Sequence, residues 1–181
     1  MLIHPDKSCL LVVDLQEKLM PALHKGKKLI RNSRWLIEIA HHLQVPVLVS
    51  EQYPKGLGHT VKALQPLLEQ DQVLEKTHFS CVSESHCRNT LNAGQHNQVV
   101  IIGAESHVCV MQTALELKQQ AREVFLVEDC VSSRHPDDKA LAIARMRQCG
   151  IHIVSREMVA FEWLRRADTD KFRYINRHYL R

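Results

Sequence analysis

Short apolar runs rich in Val, Ile and Leu recur along this chain, at residues 8–14, 47–50, 72–76, 99–102, 123–127 and 151–154. Each is too short for a helix and too continuously apolar for a strand with one wet face, which describes strands of a parallel sheet covered on both sides. The stretches between them carry helical spacing. The clearest is 26–43, where Leu29, Ile30, Leu36, Ile37, Ile39, Ala40 and Leu43 fall on one face and Pro46 ends the run. Further helices are predicted over 64–69, 83–93, from Cys109 onward, from His135 to the stop at Gly150, and behind Ser155 as an N-cap. Strand, helix, strand at the start is a βαβ unit, which is right-handed and requires parallel pairing. The chain therefore reads as a single, open, doubly wound α/β domain over residues 1–181. Residues 165–181, which mix bases with Phe172, Tyr174, Ile175 and Tyr179, read as a C-terminal tail suited to a subunit contact.

With 181 residues, 45% hydrophobic and 24% charged, the chain has the composition of a soluble globular protein with a sizeable core. Its formal charge of +4 is modest, and Lys and Arg are scattered rather than interleaved with aromatics, so no nucleic-acid partner is expected. The one basic concentration, Lys25 to Arg31, opens a helix and reads as a solvated face. No run approaches the roughly 20 apolar residues of a membrane span, and no basic-then-apolar leader opens the chain. A cytoplasmic protein with reduced cysteines and no membrane partner is the expectation. The six cysteines contain no C-x-x-C pair, and the twelve histidines no H-E-x-x-H, so no metal site is predicted.

Chemistry is suggested where Val99-Val100-Ile101-Ile102 gives way to Gly103-Ala104-Glu105-Ser106-His107-Val108-Cys109-Val110. This reads as a strand, a tight turn and a helix beginning at Cys109. A thiol in the first turn of a helix meets unpaired N–H groups and the positive end of the dipole, which would lower its pKa from about 8.5 toward neutrality. The competing reading is a small buried apolar residue, as most free cysteines are.

Two other strands end in charge: Asp14 closes the first and Lys76 the third. Alone, Asp14 reads as a turn cap and Lys76 as a solvated lysine on an edge strand. Together with Cys109 they occupy the carboxyl edge of the sheet, where such folds open their crevice. An Asp beside a cysteine can take its proton, and a Lys beside both favours their ionised forms. The Gly- and Pro-rich loop 51–60 follows the second strand at the same edge. It lacks both common phosphate-cradling patterns, and Glu51 with His59 has no supporting metal-ligand spacing.

Val12-Val13-Asp14-Leu15-Gln16, Lys76 with Phe79-Ser80, and Gly103-x-x-Ser106-x-x-Cys109-Val110 resemble three successive signatures of the isochorismatase-like cysteine hydrolases, from the first strand to about residue 160. The resemblance implies a three-layer fold around a six-stranded parallel sheet in the order 3-2-1-4-5-6. It implies a triad of Asp14 as general base, Lys76 as electrostatic partner and Cys109 as nucleophile. It also implies a cis peptide between Ala104 and Glu105, which would aim the N–H groups of Glu105 and Cys109 into one oxyanion hole. The region after the second strand departs from the metal site of family nicotinamidases, and Cys109 departs from isochorismate hydrolases proper. The loop Glu51-Gln52-Tyr53-Pro54-Lys55-Gly56-Leu57-Gly58 is similar instead to that of the isochorismatase domain-containing subgroup. The implied activity is a hydrolase without metal or cofactor that cleaves a C–N amide or related acyl bond of a small molecule through a Cys109 thioester. Gln16, Tyr53, Phe79, His107 and Val108 are the expected substrate contacts, and a homo-oligomer the expected assembly. The alternative is an oligomeric binding or assembly module that keeps the triad as a residue of ancestry.

Overall fold

The computed structural model describes residues 1–94 and 96–180. Strands β1 (Ser8–Val13), β2 (Val47–Gln52), β3 (Val73–Lys76), β4 (Gln98–Ala104), β5 (Glu123–Ser132) and β6 (His152–Val154) form one parallel sheet in the order β3-β2-β1-β4-β5-β6. The helices are α1 (Gly26–His42), α2 (Pro54–Leu57), α3 (Ser85–Ala93), α4 (Met111–Gln119), α5 (Pro136–Gln148), α6 (Arg156–Leu164) and α7 (Asp170–Ile175).

Alternation along the strands divides the core in two. Leu10, Val12, Val49, Val100, Ile102 and Phe125 face α1 and α6; Leu11, Val13, Val99, Ile101 and Leu126 face α3, α4 and α5. Burial of each such side chain contributes roughly 1.5–3 kcal/mol. The result is the three-layer α/β sandwich that the doubly apolar strands predict, with the predicted strand order.

Several boundaries differ from the sequence pattern, each for a local reason. The segment 64–69 is not an α-helix but ends in short 3₁₀ turns at Gln65–Leu67 and Gln70–Gln72. Strand β5 continues beyond Val127 to Ser132, because its pairing with β4 jumps from Ile101↔Leu126 to Gly103↔Val131. Glu128 and Asp129 lie in the bulge that this jump creates, so two acids interrupt the apolar run without ending the strand. The tail is not extended. Helix α7 buries Ile175 in the α1–α6 core, and the Trp35 indole donates to the Tyr179 carbonyl at 2.8 Å. Arg181, the last residue of the predicted tail, lies outside the described residues. Among the described residues, no helix is long and apolar enough to cross a membrane.

Candidate active site

Three adjacent strands end in residues with left-handed backbone: Asp14 (φ 52°) after β1, Tyr53 (φ 38°) after β2 and Glu105 (φ 54°) after β4. None is glycine, and such conformations persist only where the surroundings enforce them. The enforcement begins at Gly103, which has φ +135° and lies opposite Val13 in the β1–β4 ladder. A β-carbon there would collide with the Val13 carbonyl oxygen and lie 2.6 Å from the Val13 nitrogen. The missing side chain lets β4 close on β1 just before both strands turn, which draws Asp14 and the 105–109 segment together.

Asp14 is 1% exposed and has both carboxylate oxygens engaged. Ser50 Oγ donates to Oδ1 at 2.7 Å, and Lys76 Nζ donates to Oδ2 at 2.9 Å. Lys76, whose side chain is fully buried, also donates to Gln52 Oε1 at 2.6 Å and to the Phe79 carbonyl at 3.0 Å. Burial works against the Lys76 charge, yet the acidic groups round it, Asp14 foremost, more than offset it and raise its pKa above the ordinary lysine value. Glu84 fixes the turn that supplies those carbonyls: its carboxylate accepts from the His78 ring and the Thr77 N–H, both at 3.0 Å. These contacts, His78 foremost, hold the Glu84 carboxyl at a pKa of about 2.

Cys109 lies in a single wide turn, Ser106–Val110, and not at the head of α4, which starts at Met111. The Glu105 carbonyl accepts from Val108 at 2.9 Å and from Val110 at 3.4 Å; Cys109 N–H is not among its donors. No cis peptide occurs among the described residues, so the expected cis bond between Ala104 and Glu105 is corrected. At that point Glu105 has left-handed backbone, with φ 54° and ψ 72°. The expected acidic thiol is also corrected. Burial at 5% exposure, then the charge of Asp14, push the Cys109 pKa well above 9.0, and Lys76 offsets this only in part. The resting group is therefore a thiol, with Sγ 4.0 Å from Gln52 Oε1 and the Asp14 carboxylate as the neighbouring base.

The expected substrate contacts divide. Tyr53 and Phe79 stand half-exposed at the ends of β2 and β3. Tyr53 lines a cavity of about 540 Å³ together with Glu75, Lys76, Thr77 and His86. Val108 packs on the α3–α5 side of the core, while His107 is hydrogen-bonded through Nδ1 to Ser133 Oγ at 3.0 Å and has its Nε2 4.0 Å from Glu105 Oε2. Gln16 is fully buried and committed to main chain: its Nε2 donates to the carbonyls of Gln52 and Gly58 at 2.9 and 2.7 Å, and its Oε1 accepts from Gln52 N–H at 2.8 Å. It pins the 52–58 loop over the site. Glu51 is likewise engaged, by Thr60 through Oε1 and by the His59 ring through Oε2 at 2.9 Å.

Ser50 and Gln52 belong to the site and do not stand out in the sequence. Their signal is register: Val13↔Ser50 and Gln52↔Lys76 are paired neighbours, so polar residues late in β2 fall beside charged residues ending β1 and β3. Cys81 lies fully buried beside the pair, its main-chain N–H donating to Thr113 Oγ1 at 3.0 Å.

Comparison with known proteins agrees with this architecture. A family model described as the isochorismatase domain matches residues 8–158. Isochorismatase family protein 1A of Dictyostelium discoideum is 34% identical over 175 residues, covering 94% of this chain and 85% of that protein. Isochorismatase domain-containing protein 2 of Danio rerio is 34% identical over 170 residues, again covering 94% and 85%. The solved structure of a protein called MAR1 ribonuclease from Caenorhabditis elegans superposes with a TM-score of 0.92 at 36% identity, over 100% of this chain and 93% of that one. With its sheet order, the domain match and relatives aligned over most of both lengths, this chain belongs to the isochorismatase family and has the fold of its hydrolases.

Proposed function

We propose that this protein is a cysteine hydrolase that cleaves a C–N amide or related acyl bond of a small molecule, with Cys109 as nucleophile, Asp14 as general base and acid, and Lys76 as the cation that pairs with Asp14 and orients it. The observation that carries the reading is the buried Asp14 carboxylate, fixed by Ser50 and Lys76 and acting on the Cys109 thiol.

A buried thiol with a raised pKa is a poor nucleophile until a base takes its proton, and Asp14 is the base at hand. Asp14 accepts the Cys109 proton as the sulfur attacks the acyl carbon. The negative charge that develops on the substrate oxygen falls to the Cys109 N–H, which the Glu105 carbonyl leaves free, and such a donor contributes about 3–4 kcal/mol where it is preorganised. The tetrahedral adduct collapses, and Asp14 returns the proton to the departing amine. Asp14 then takes a proton from water, whose hydroxide splits the thioester, and the proton restores the thiol. Lys76 holds its ammonium against Asp14 throughout. Tyr53 and Phe79 flank the approach, Gln16 holds their loop in place, and the shallow exposure of Cys109 suits a small acyl end.

The test is an ammonia- and amine-release screen over small primary and secondary amides, run on the wild type and on Cys109→Ala, with hydroxylamine added to intercept a thioester. Turnover that vanishes in Cys109→Ala, with hydroxamate formed only by the wild type, is the expected result. Turnover unchanged in Cys109→Ala removes the mechanism. The name of the Caenorhabditis elegans neighbour sets a competing outcome, RNA cleavage in the same preparation. Lys76 argues against that outcome, because its ammonium is buried on Asp14 and the neighbouring carbonyls and is not free for a phosphate.

A further inference from the structure

A second cavity, of about 390 Å³, opens where the front of α1 meets the far end of β5 and the starts of α5 and α6. Neither Asp14, Lys76 nor Cys109 lines it. Its wall carries His24, Lys25, Lys28 and Lys139. Among the described residues, none of these three lysines has a carboxylate within ion-pair distance, although Glu128 and Asp129 share the wall.

Of the two acids, Asp129 is engaged elsewhere, while Glu128 is exposed and its charge attracts Lys139. Asp129 accepts from the Arg156 N–H at 2.8 Å through Oδ1 and pairs with the Arg156 guanidinium at 3.4 Å through Oδ2, so it caps α6. Glu128 lies on the exposed side of the β5 bulge and offers its carbonyl, not its carboxylate, to Lys139 Nζ at 2.7 Å. That leaves donors of the Lys139 ammonium uncommitted. Lys139 is half-buried: burial, with repulsion from Lys28, pulls its pKa below the ordinary lysine value despite the attraction of both acids. Like charges gathered round a partly desolvated cavity are destabilising unless an anion joins them. The rim is also fixed, since Ser132 Oγ donates to the His24 carbonyl at 2.6 Å and His24 N–H donates to the Ser133 carbonyl at 3.0 Å. Helices α1, α5 and α6 all begin at this cavity, so their dipoles add to the positive potential, although Asp129 and Ser155 already take the Arg156 and Met158 N–H groups of α6.

We propose that the cavity between the starts of α1, α5 and α6 is a binding site for the phosphate or diphosphate group of a small molecule, held by Lys25, Lys28 and Lys139. Its volume lies in the ordinary range for small-molecule sites, and several cations suit a polyanion better than a single carboxylate. The basic run that reads in the sequence as a solvated face then has a ligand.

Titration calorimetry with inorganic pyrophosphate at low ionic strength tests this. The wild type is expected to bind one pyrophosphate per chain saturably. Lys28→Gln/Lys139→Gln is expected to weaken binding by about tenfold or more, while Lys62→Gln/Lys171→Gln, with the same change in charge on other surfaces, leaves it within about twofold. Cys109→Ala is expected to bind as the wild type does. No saturable binding in the wild type overturns the proposal, as does equal weakening by both double variants or loss of binding in Cys109→Ala. If Lys28→Gln/Lys139→Gln fails to fold, the exposed Lys25→Gln decides: binding weakened about threefold or more supports the site, and unchanged binding overturns it.

Discussion

Lys76 commits its ammonium to Asp14, Gln52 and the main chain beyond β3, and this fixes what each neighbour can do. Breaking a buried pair by removing one partner costs about 3–5 kcal/mol, because the other charge is stranded. Lys76→Met is therefore expected to lower the urea midpoint sharply as well as to abolish hydrolysis. Cys109→Ala is expected to abolish hydrolysis with little change in that midpoint, since a small buried apolar group replaces another. A comparison of the two unfolding curves separates the cation's structural role from the chemistry. The sequence makes Asp14 and Lys76 visible because each ends an apolar run with a charge, and Cys109 because it follows the fourth run across a tight turn. The raised pKa of the thiol is not visible there. The sequence places Cys109 near a helix start but contains neither its depth of burial nor its distance from Asp14.

At the scale of elements, the site depends on two devices that hold strand ends and loop together. Gly103 lets β4 approach β1, and Gly103→Ala is expected to cost about 3 kcal/mol or more, because strain adds to collision with Val13. A destabilisation below about 1 kcal/mol would show that the strands yield easily. Gln16 ties the 52–58 loop through three main-chain hydrogen bonds, and Gln16→Ala is expected to cost about 2–4 kcal/mol and to speed hydrogen exchange at residues 52–60 selectively. Uniform acceleration across the sheet would contradict the local role. β1 and β4 are legible in the sequence because they are buried on both faces. The far half of β5 is not, because its bulge places Glu128 and Asp129 between two paired segments. The turn at 106–110 is hidden for a different reason: its apolar spacing continues that of α4, and only its wider hydrogen bonding, Val110 N–H to the Glu105 carbonyl, distinguishes it.

The whole molecule keeps five of its six cysteines buried, with Cys149 alone exposed. Burial raises the pKa of Cys9 and Cys87 to about 12, and raises those of Cys81, Cys109 and Cys130 as well. Above the ordinary thiol value of 9.0 the unfolded chain loses thiol protons that the folded chain keeps, so the unfolded state binds fewer protons and stability falls as pH rises. Each such thiol contributes a loss approaching ~1.4 kcal/mol per pH unit once the pH lies above the unfolded value and below the folded one. Urea unfolding between pH 8 and about pH 11 is expected to show stability level below 9.0 and falling above it, with Cys9→Ala reducing the slope by one thiol's share. A flat profile through that window would mean that the thiols titrate in place. The number of cysteines is plain from the sequence, but which of them resist ionisation depends on the two-faced core.

The coupling of Asp14 to Cys109 is tested most directly by the alkylation rate of Cys109 against pH, resolved by peptide mass spectrometry, in the wild type and Asp14→Asn. The account predicts a wild-type midpoint above 9.0, a lower midpoint in Asp14→Asn because the repelling carboxylate is gone, and no amide hydrolysis by that variant although its thiol ionises more readily. A midpoint that Asp14→Asn leaves unchanged, or hydrolysis that survives it, would contradict the pairing of base and nucleophile.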